Sequence, residues 1–158
     1  MGILKKSVYI SSSWKNRKKV RNLAVELRKF GFNVYDFTDR ECRTEEEIPP
    51  EKFPEQFDPE VDNYWHYLNS REEWKNSVIG NKKALDTCDI VILLLPCGID
   101  ATADWAYAVG RGKTTYIIGH PPKGERSPTH LWAEWWFPNV NTLLKILHAS
   151  KHANDIFS

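Results

Sequence analysis

The sequence has almost no net charge, few cysteines and no long apolar run. Lys and Arg number 22 against 21 Asp and Glu, so the formal net charge is +1 over 158 residues. Proteins that bind the phosphate backbone normally carry a clear basic excess, so this balance argues against a nucleic-acid partner. The longest apolar run, residues 90–95, has the length of a strand and is far too short to span a bilayer, which argues against a membrane partner.

The cysteines and histidines form no recognisable framework. The three cysteines Cys42, Cys88 and Cys97 include no C-x-x-C pair, and an odd count without a framework fits a reducing compartment. Residues 1–6 carry two lysines and no apolar segment of a secretory signal. None of the five histidines forms H-E-x-x-H or stands in a zinc-spaced group. We therefore expect a cytoplasmic protein without a metal site.

Short β-prone segments alternate with helical segments along the chain. Residues 15–30 carry apolar side chains at spacings of three and four, which predicts an amphipathic helix between strands over 7–11 and 32–37. The later pattern predicts strands over 89–95 and 114–118, with helices over 71–86, 100–110 and 139–149. This alternation predicts the α/β class: a doubly wound, flavodoxin-like parallel sheet of about five strands, with helices on both faces. A ligand is expected where the strand order reverses.

The length predicts a single domain over residues 1–158. Residues 38–70 interrupt the alternation with a run of glutamates, four prolines and several aromatic residues. A long segment of this kind is usually a functional lid or a disordered insert, and its aromatic residues favour a packed lid. We expect an irregular insert over residues 38–70.

The glycines around residue 110 do not form a nucleotide-binding loop. Residues 110–115 read Gly-Arg-Gly-Lys-Thr-Thr, which is superficially like a P-loop. A P-loop must run from strand to loop to helix, whereas this segment runs from helix to loop to strand, so its amides point away from the strand tips. No G-x-G-x-x-G follows the first strand either. We therefore expect no organic cofactor.

The stretch most informative about chemistry is residues 93–110. A buried strand ends at Pro96, a turn containing Gly98 follows, and the next helix begins with acids at Asp100 and Asp104. A carboxylate at the first turn of such a helix is placed to attack or stabilise a cationic sugar carbon. The structural alternative is that Asp100 is an N-cap and Asp104 complements the helix dipole. Spacing alone leaves both interpretations open.

Three segments resemble the nucleoside 2-deoxyribosyltransferase superfamily. Residues 104–113, Asp-Trp-Ala-Tyr-Ala-Val-Gly-Arg-Gly-Lys, resemble the family pattern E-x-G-Y-A-x-x-x-G-K. Residues 9–14 resemble the family's first strand, with its Tyr and the Trp beside the base, and residues 131–140 resemble the segment whose Asn enters a neighbouring subunit's site. The resemblance implies cleavage of an N-glycosidic bond, in which a carboxylate attacks the anomeric carbon and a second base or water then takes the sugar.

The resemblance also implies roles for individual residues. Asp104 would be the nucleophile or cation stabiliser, Tyr9 would orient its carboxylate, and Asn81 would contact the base at the position of the family's helper Asp. Further substrate contacts are expected from Trp14 and Asn139 by resemblance, and from the strand tips and turns at Ser11, Ser12, Asp36 and Gly98. We expect a small nucleoside or nucleotide as ligand. We also expect a homo-oligomer, dimeric or larger, with a site shared between subunits.

Three positions depart from the family pattern. Asp104 stands where the family has Glu and is shorter by one methylene, and Ala106 stands where it usually has Gly. Asn81 replaces the helper Asp; it cannot exchange a proton at neutral pH but can hydrogen-bond a base edge. The departures leave open a deoxyribosyltransferase or N-hydrolase, an NAD-cleaving glycohydrolase, and a nucleotide-binding module without turnover.

Overall fold

The computed structural model describes residues 5–39, 64–70 and 72–149. The strands are β1 (Ser7–Ser11), β2 (Asn33–Asp36), β3 (Ile90–Leu94), β4 (Thr114–Ile118) and β5 (Trp135–Phe137). The helices are α1 (Arg17–Lys29), α2 (Tyr64–Asn69), α3 (Glu72–Thr87), α4 (Ile99–Gly110) and α5 (Val140–Ala149). Short 3-10 turns, Trp14–Asn16 and Pro128–Trp132, precede α1 and β5.

The five strands form a sheet in the order β2-β1-β3-β4-β5, and all four neighbouring pairs are parallel. All five residues of β3 are buried, as expected for a central strand that is covered on both faces. The strand order reverses between β1 and β3, so connections leave their carboxyl ends in opposite directions. This topology confirms the predicted doubly wound, flavodoxin-like α/β class with five strands.

The sheet separates two cores, because successive side chains of a strand point to opposite faces. Ile10 of β1 packs in a core with Leu23 of α1 and residues of α5; we call this side the α1 face. Its neighbour Tyr9 packs in a second core with Trp105 of α4 and residues of α3; we call this side the α4 face. Helices therefore cover both faces, as predicted, and a single strand supplies side chains to both cores.

Two elements differ from the sequence prediction. The sequence pattern locates only four of the strands, whereas Trp135–Phe137 forms a fifth strand paired with β4. Three residues are too few to show a period of two, so this strand has no signal of its own. The insert expected over 38–70 is not irregular throughout, because Tyr64–Asn69 is helical. The rest of that expectation, over residues 40–63, lies outside the described residues.

The carboxyl end of α1 agrees with the sequence prediction, whereas the amino end of α4 does not. Gly31 follows α1 with a φ of +91°, the left-handed conformation expected of a glycine after a helix end. The residue that caps the amino end of α4 is Gly98, so the interpretation of Asp100 as the N-cap is wrong. Asp100 is the only acid in the first turn, and Asp104 lies one turn later.

The described residues contain neither a helix suited to span a membrane nor a group of side chains suited to hold a metal ion. No helix among them combines the length and apolar character that crossing a bilayer requires. Within residues 5–39, 64–70 and 72–149, no three His, Cys, Asp or Glu side chains are grouped so that they could hold a metal ion.

Candidate functional site

The structure brings Tyr9 and Asp104 together. Tyr9 occupies the middle of β1, where its side chain points to the α4 face and is only 1% exposed. Its hydroxyl donates a hydrogen bond of 2.9 Å to Oδ2 of Asp104, on the second turn of α4. Asp104 is half-buried. A buried phenol therefore holds a partly accessible carboxylate in a fixed orientation, and a hydrogen bond to an ionised carboxylate is stronger than a neutral one.

Tyr35 and Asn81 form a second pair beside the first. Strand pairing sets Tyr35 of β2 directly opposite Tyr9, and the two rings stack with centroids 5.1 Å apart and planes inclined by 9°. The Tyr35 hydroxyl donates 2.9 Å to Oδ1 of Asn81 on α3. Sequence reasoning missed Tyr35. Both tyrosines lie near the middle of a strand, but the sequence does not show that these strands are neighbours or that Tyr35 lies opposite Tyr9. That relation follows only from the register of the sheet.

Ser11 and Ser12 connect backbone segments near the carboxyl end of β1. The Ser11 hydroxyl donates 2.9 Å to the carbonyl of Ala101 on α4, and the Ser12 hydroxyl donates 2.7 Å to the carbonyl of Leu94 on β3. Asn16 donates to Ser12 and to the carbonyl of Pro96. These bonds join the turn after β1 to the turn after β3. The predicted contact of both serines with a substrate stays a prediction.

Trp14 and Asp36 lie on the other side of the sheet from Asp104. Trp14 packs against the core of the α1 face, with its ring centroid 6.1 Å from that of Phe37. Asp36 is 1% exposed and accepts hydrogen bonds from the backbone and side chain of Thr38. The structure therefore gives both residues contacts within the fold and does not bring them to the Tyr9 and Asp104 pair. Their predicted ligand contacts stay predictions.

Gly98 and Asn139 both stand at the start of a helix. Gly98 is exposed, and a Cβ added there would meet no atom within 4 Å, so packing does not demand glycine. Asn139 is exposed and accepts hydrogen bonds from the backbone and hydroxyl of Thr142, which makes it the cap of α5. Its predicted entry into a neighbouring subunit's site stays a prediction, as does the substrate contact of Gly98.

Cys97 and His130 are two further titratable groups that pack near α4. Burial raises the pKa of the Cys97 thiol, which lies 3.5 Å from the hydroxyl of Thr102. Burial lowers the pKa of His130, whose ring meets that of Trp105 edge to face at 5.9 Å. Both shifts favour the neutral forms at pH 7. A thiolate nucleophile and an imidazolium acid are therefore poor alternatives to the carboxylate here.

Comparisons with known proteins place this geometry in a known fold. No protein-family model matches the chain, and no curated protein matches its sequence significantly. Two solved structures are similar over nearly the whole chain. One is a CMP N-glycosidase from Clostridium botulinum, with a TM-score of 0.54 and 12% identity, covering 90% of this chain and 99% of that one. The other is a 2-deoxyribosyltransferase from Bacillus psychrosaccharolyticus, with a TM-score of 0.56 and 19% identity, covering 94% of both chains.

The chain has a nucleoside 2-deoxyribosyltransferase-like fold. This confirms the resemblance inferred from the sequence at the level of the fold. In this sheet residues 110–113 run from the end of α4 to the start of β4, at the amino edge. The glycines of this segment end the helix, with Gly112 at a φ of +69°. The predicted direction of this segment, from helix to loop to strand, is therefore confirmed.

Proposed function

We propose that this protein is an enzyme that cleaves or transfers the N-glycosidic bond of a nucleoside or nucleotide, with Asp104 as the attacking carboxylate. The observation that carries the proposal is the 2.9 Å hydrogen bond from the buried Tyr9 hydroxyl to Asp104. The deoxyribosyltransferase-like fold supports it, because the two similar structures described above are of enzymes named for action on nucleosides or nucleotides.

The chemistry follows from a carboxylate held against the sugar. An oxygen of Asp104 attacks C1′, the bond from C1′ to the base nitrogen breaks, and its electron pair leaves with the base. Water or a second base then attacks C1′ and releases Asp104, as in retaining glycosidases. Tyr9 keeps the carboxylate aligned, which matters because misplacement by about 1 Å can cost on the order of a hundredfold in rate. No metal or organic cofactor enters these steps.

The remaining predicted residues complete the proposal. Asn81 contacts the base from α3. The other proposed substrate contacts are Ser11, Ser12, Trp14, Asp36 and Gly98, together with Asn139 supplied by a second copy in a homo-oligomer. The contacts of Ser11 with α4 and of Ser12 with the end of β3 support a part for these two residues in shaping the edge of the sheet near Asp104.

Release of free base tests the proposal. The protein is incubated separately with deoxynucleosides, their monophosphates and NAD, with and without an acceptor base, and the products are separated by chromatography. We expect base release that Asp104→Ala abolishes. The matched control is Asp100→Ala, one turn earlier on the same helix and exposed, which keeps the activity.

Each other outcome selects an alternative. Release from NAD alone indicates an NAD-cleaving glycohydrolase, which breaks the same type of bond. Tight binding of nucleotides without any release indicates a binding module, in agreement with the departures at Asp104, Asn81 and Ala106 from the family pattern. Equal release by wild type and Asp104→Ala contradicts the nucleophile assignment.

A further inference from the structure

The amide of Asn81 has a defined orientation that the proposed function does not use. Its Oδ1 accepts the hydrogen bond from Tyr35, whose ring is stacked on Tyr9. Among the described residues, the Nδ2 group of Asn81 donates to no partner, and it is not among the buried polar groups that lack one. A terminal amide with its oxygen engaged presents only its two N–H donors to a ligand.

The two tyrosines place this donor beside the carboxylate. Tyr9 and Tyr35 project from neighbouring parallel strands to the same face, and their rings lie about one strand spacing apart. Tyr9 donates to Asp104 on α4, and Tyr35 donates to Asn81 on α3. The acceptors are thus held side by side by a matched pair of phenols, and both are half-buried and accessible.

We propose that Tyr35 is a positioning residue that turns the Asn81 N–H donors toward the substrate, so that the site hydrogen-bonds the departing base without protonating it. This rests on the proposed function. An amide has no proton to give at neutral pH, whereas a hydrogen bond to an oxygen that gains negative charge strengthens as the bond to C1′ breaks. The base therefore departs as its anion and takes a proton from water afterwards.

This chemistry selects a class of substrate. The base must offer an acceptor next to the bond that breaks, and its anion must be stable enough to leave. A uracil-type base meets both requirements, because the electron pair left on N1 is delocalised onto the adjacent carbonyl oxygen, where Asn81 would donate. A cytosine-type base, whose departure depends more on prior protonation, is a poor substrate for the same site. We infer a preference for oxo-pyrimidine N-glycosides.

A series of 2′-deoxyuridines substituted at C5 tests the inference. Electron-withdrawing substituents make the departing base more acidic while the sugar stays constant. We expect kcat/KM of the wild type to rise steeply with the acidity of the base. In Asn81→Asp the introduced carboxyl can donate a proton, so the dependence becomes shallow and the activity gains a limb at acidic pH. Asn76→Asp, on the same helix, is the matched control and keeps the steep dependence.

Tyr35→Phe tests the positioning role. Loss of the hydroxyl frees the Asn81 amide to rotate, so we expect kcat to fall about tenfold with KM nearly unchanged, because the donor acts on charge that develops in the transition state. The loss is expected to be largest for the least acidic base. Tyr116→Phe removes a phenol from the α1 face and is the control. A structural role alone would lower thermal stability without changing the dependence on base acidity.

The outcomes separate this inference from the proposed function. A shallow dependence in the wild type, equal to that of Asn81→Asp, shows that another group protonates the base and overturns the inference while the proposed function stands. Absence of base release overturns the proposed function instead. The contact between the Asn81 amide and the base can be measured separately, by NMR of the unreactive Asp104→Ala variant. We expect the Asn81 side-chain NH2 resonances to shift when deoxyuridine is added, and no shift overturns the inference.

Discussion

Two aspartate and tyrosine pairs stand at opposite edges of the same sheet and differ in what surrounds them. At the amino edge, Asp86 accepts a hydrogen bond from Tyr107 and also pairs with Lys82 at 2.8 Å and with Arg111 at 3.8 Å. Near the carboxyl edge, Asp104 accepts a hydrogen bond from Tyr9, which is almost completely buried. The same two residue types therefore form pairs at two different places in the fold.

The partners of Asp86 indicate a structural role for its carboxylate. Hydrogen bonds from Lys82 and then from Tyr107 lower the pKa of Asp86, and Arg111 adds to the effect. The cations neutralise the charge of Asp86 near the carboxyl end of α3, where the Lys113 ammonium also donates a hydrogen bond to the backbone carbonyl of Asp86. Asp104 instead is half-buried beside β1, and the proposed function has its carboxylate meet the sugar. We expect substitutions of Asp86 and Tyr107 to change mainly the stability of the fold, and substitutions of Asp104 and Tyr9 to change mainly the turnover of substrate.

The largest effect is expected from loss of the Asp104 charge. Asp104→Asn keeps the shape of the side chain but removes the proposed nucleophile, so we expect base release to fall on the order of a thousandfold or more. Asp86→Asn leaves base release within about twofold. The measurement is kcat/KM for the best substrate. A similar loss of activity in both variants would remove the distinction between the two pairs.

The next largest effect is expected from the phenols. A hydrogen bond to a charged group is worth about 1.5–3 kcal/mol, so Tyr9→Phe is expected to lower kcat roughly 10- to 100-fold. Tyr107→Phe, which removes the equivalent bond to Asp86, leaves kcat unchanged. Steady-state kinetics of both variants give the comparison. Unchanged kcat in Tyr9→Phe would show that Asp104 needs no orientation by this hydroxyl.

A smaller effect is expected from Ser11, which connects the first strand to α4. Ser11→Ala leaves the carbonyl of Ala101 without its buried donor, which should lower the free energy of unfolding by about 1–2 kcal/mol. Urea denaturation measures this change. If unfolding is unaffected and KM rises instead, Ser11 contacts substrate and its bond to Ala101 has little structural weight.

The smallest effect is expected from the acid dependence of stability at Asp86. Its pKa is lowered in the folded chain, so its stabilising contribution is complete above its unfolded pKa, about 3.9, and is lost as the pH falls through the lower folded value. Thermal melts should show a small advantage of wild type over Asp86→Asn at neutral pH that declines progressively as the pH falls below about 4. A constant difference down to pH 2 would contradict this assignment.

The sequence predicts those parts of the fold that carry a repeated pattern. The helix over Arg17–Lys29 and the buried strand over Ile90–Leu94 follow from periodicity and from apolar character, and together with β1 and β4 they determine the class. The strand Trp135–Phe137 could not be predicted, because its two exposed tryptophans and short length resemble a loop. Its place in the sheet comes from pairing with β4, which is a tertiary effect.

The candidate site divides in the same way. Tyr9 and Asp104 could be named from the family pattern, and the structure brings them within hydrogen-bond distance. Tyr35 could not, because its importance depends on which residue of β1 lies opposite. The hydroxyls of Ser11 and Ser12 bond to carbonyls 90 and 82 residues away, which local sequence does not reveal. Site residues that act through long-range backbone contacts need the fold before they can be interpreted.

Successive side chains of β1 point into different cores, and this limits which changes to the strand the fold can tolerate. Tyr9 enters the α4 face while Val8 and Ile10 fill the α1 face, so one inserted residue in this strand would exchange polar and apolar partners in both cores at once. The strand is therefore a poor place to introduce diversity. Under the proposed function, libraries intended to change substrate preference should instead vary accessible positions around Asn81 and Asp104 on α3 and α4.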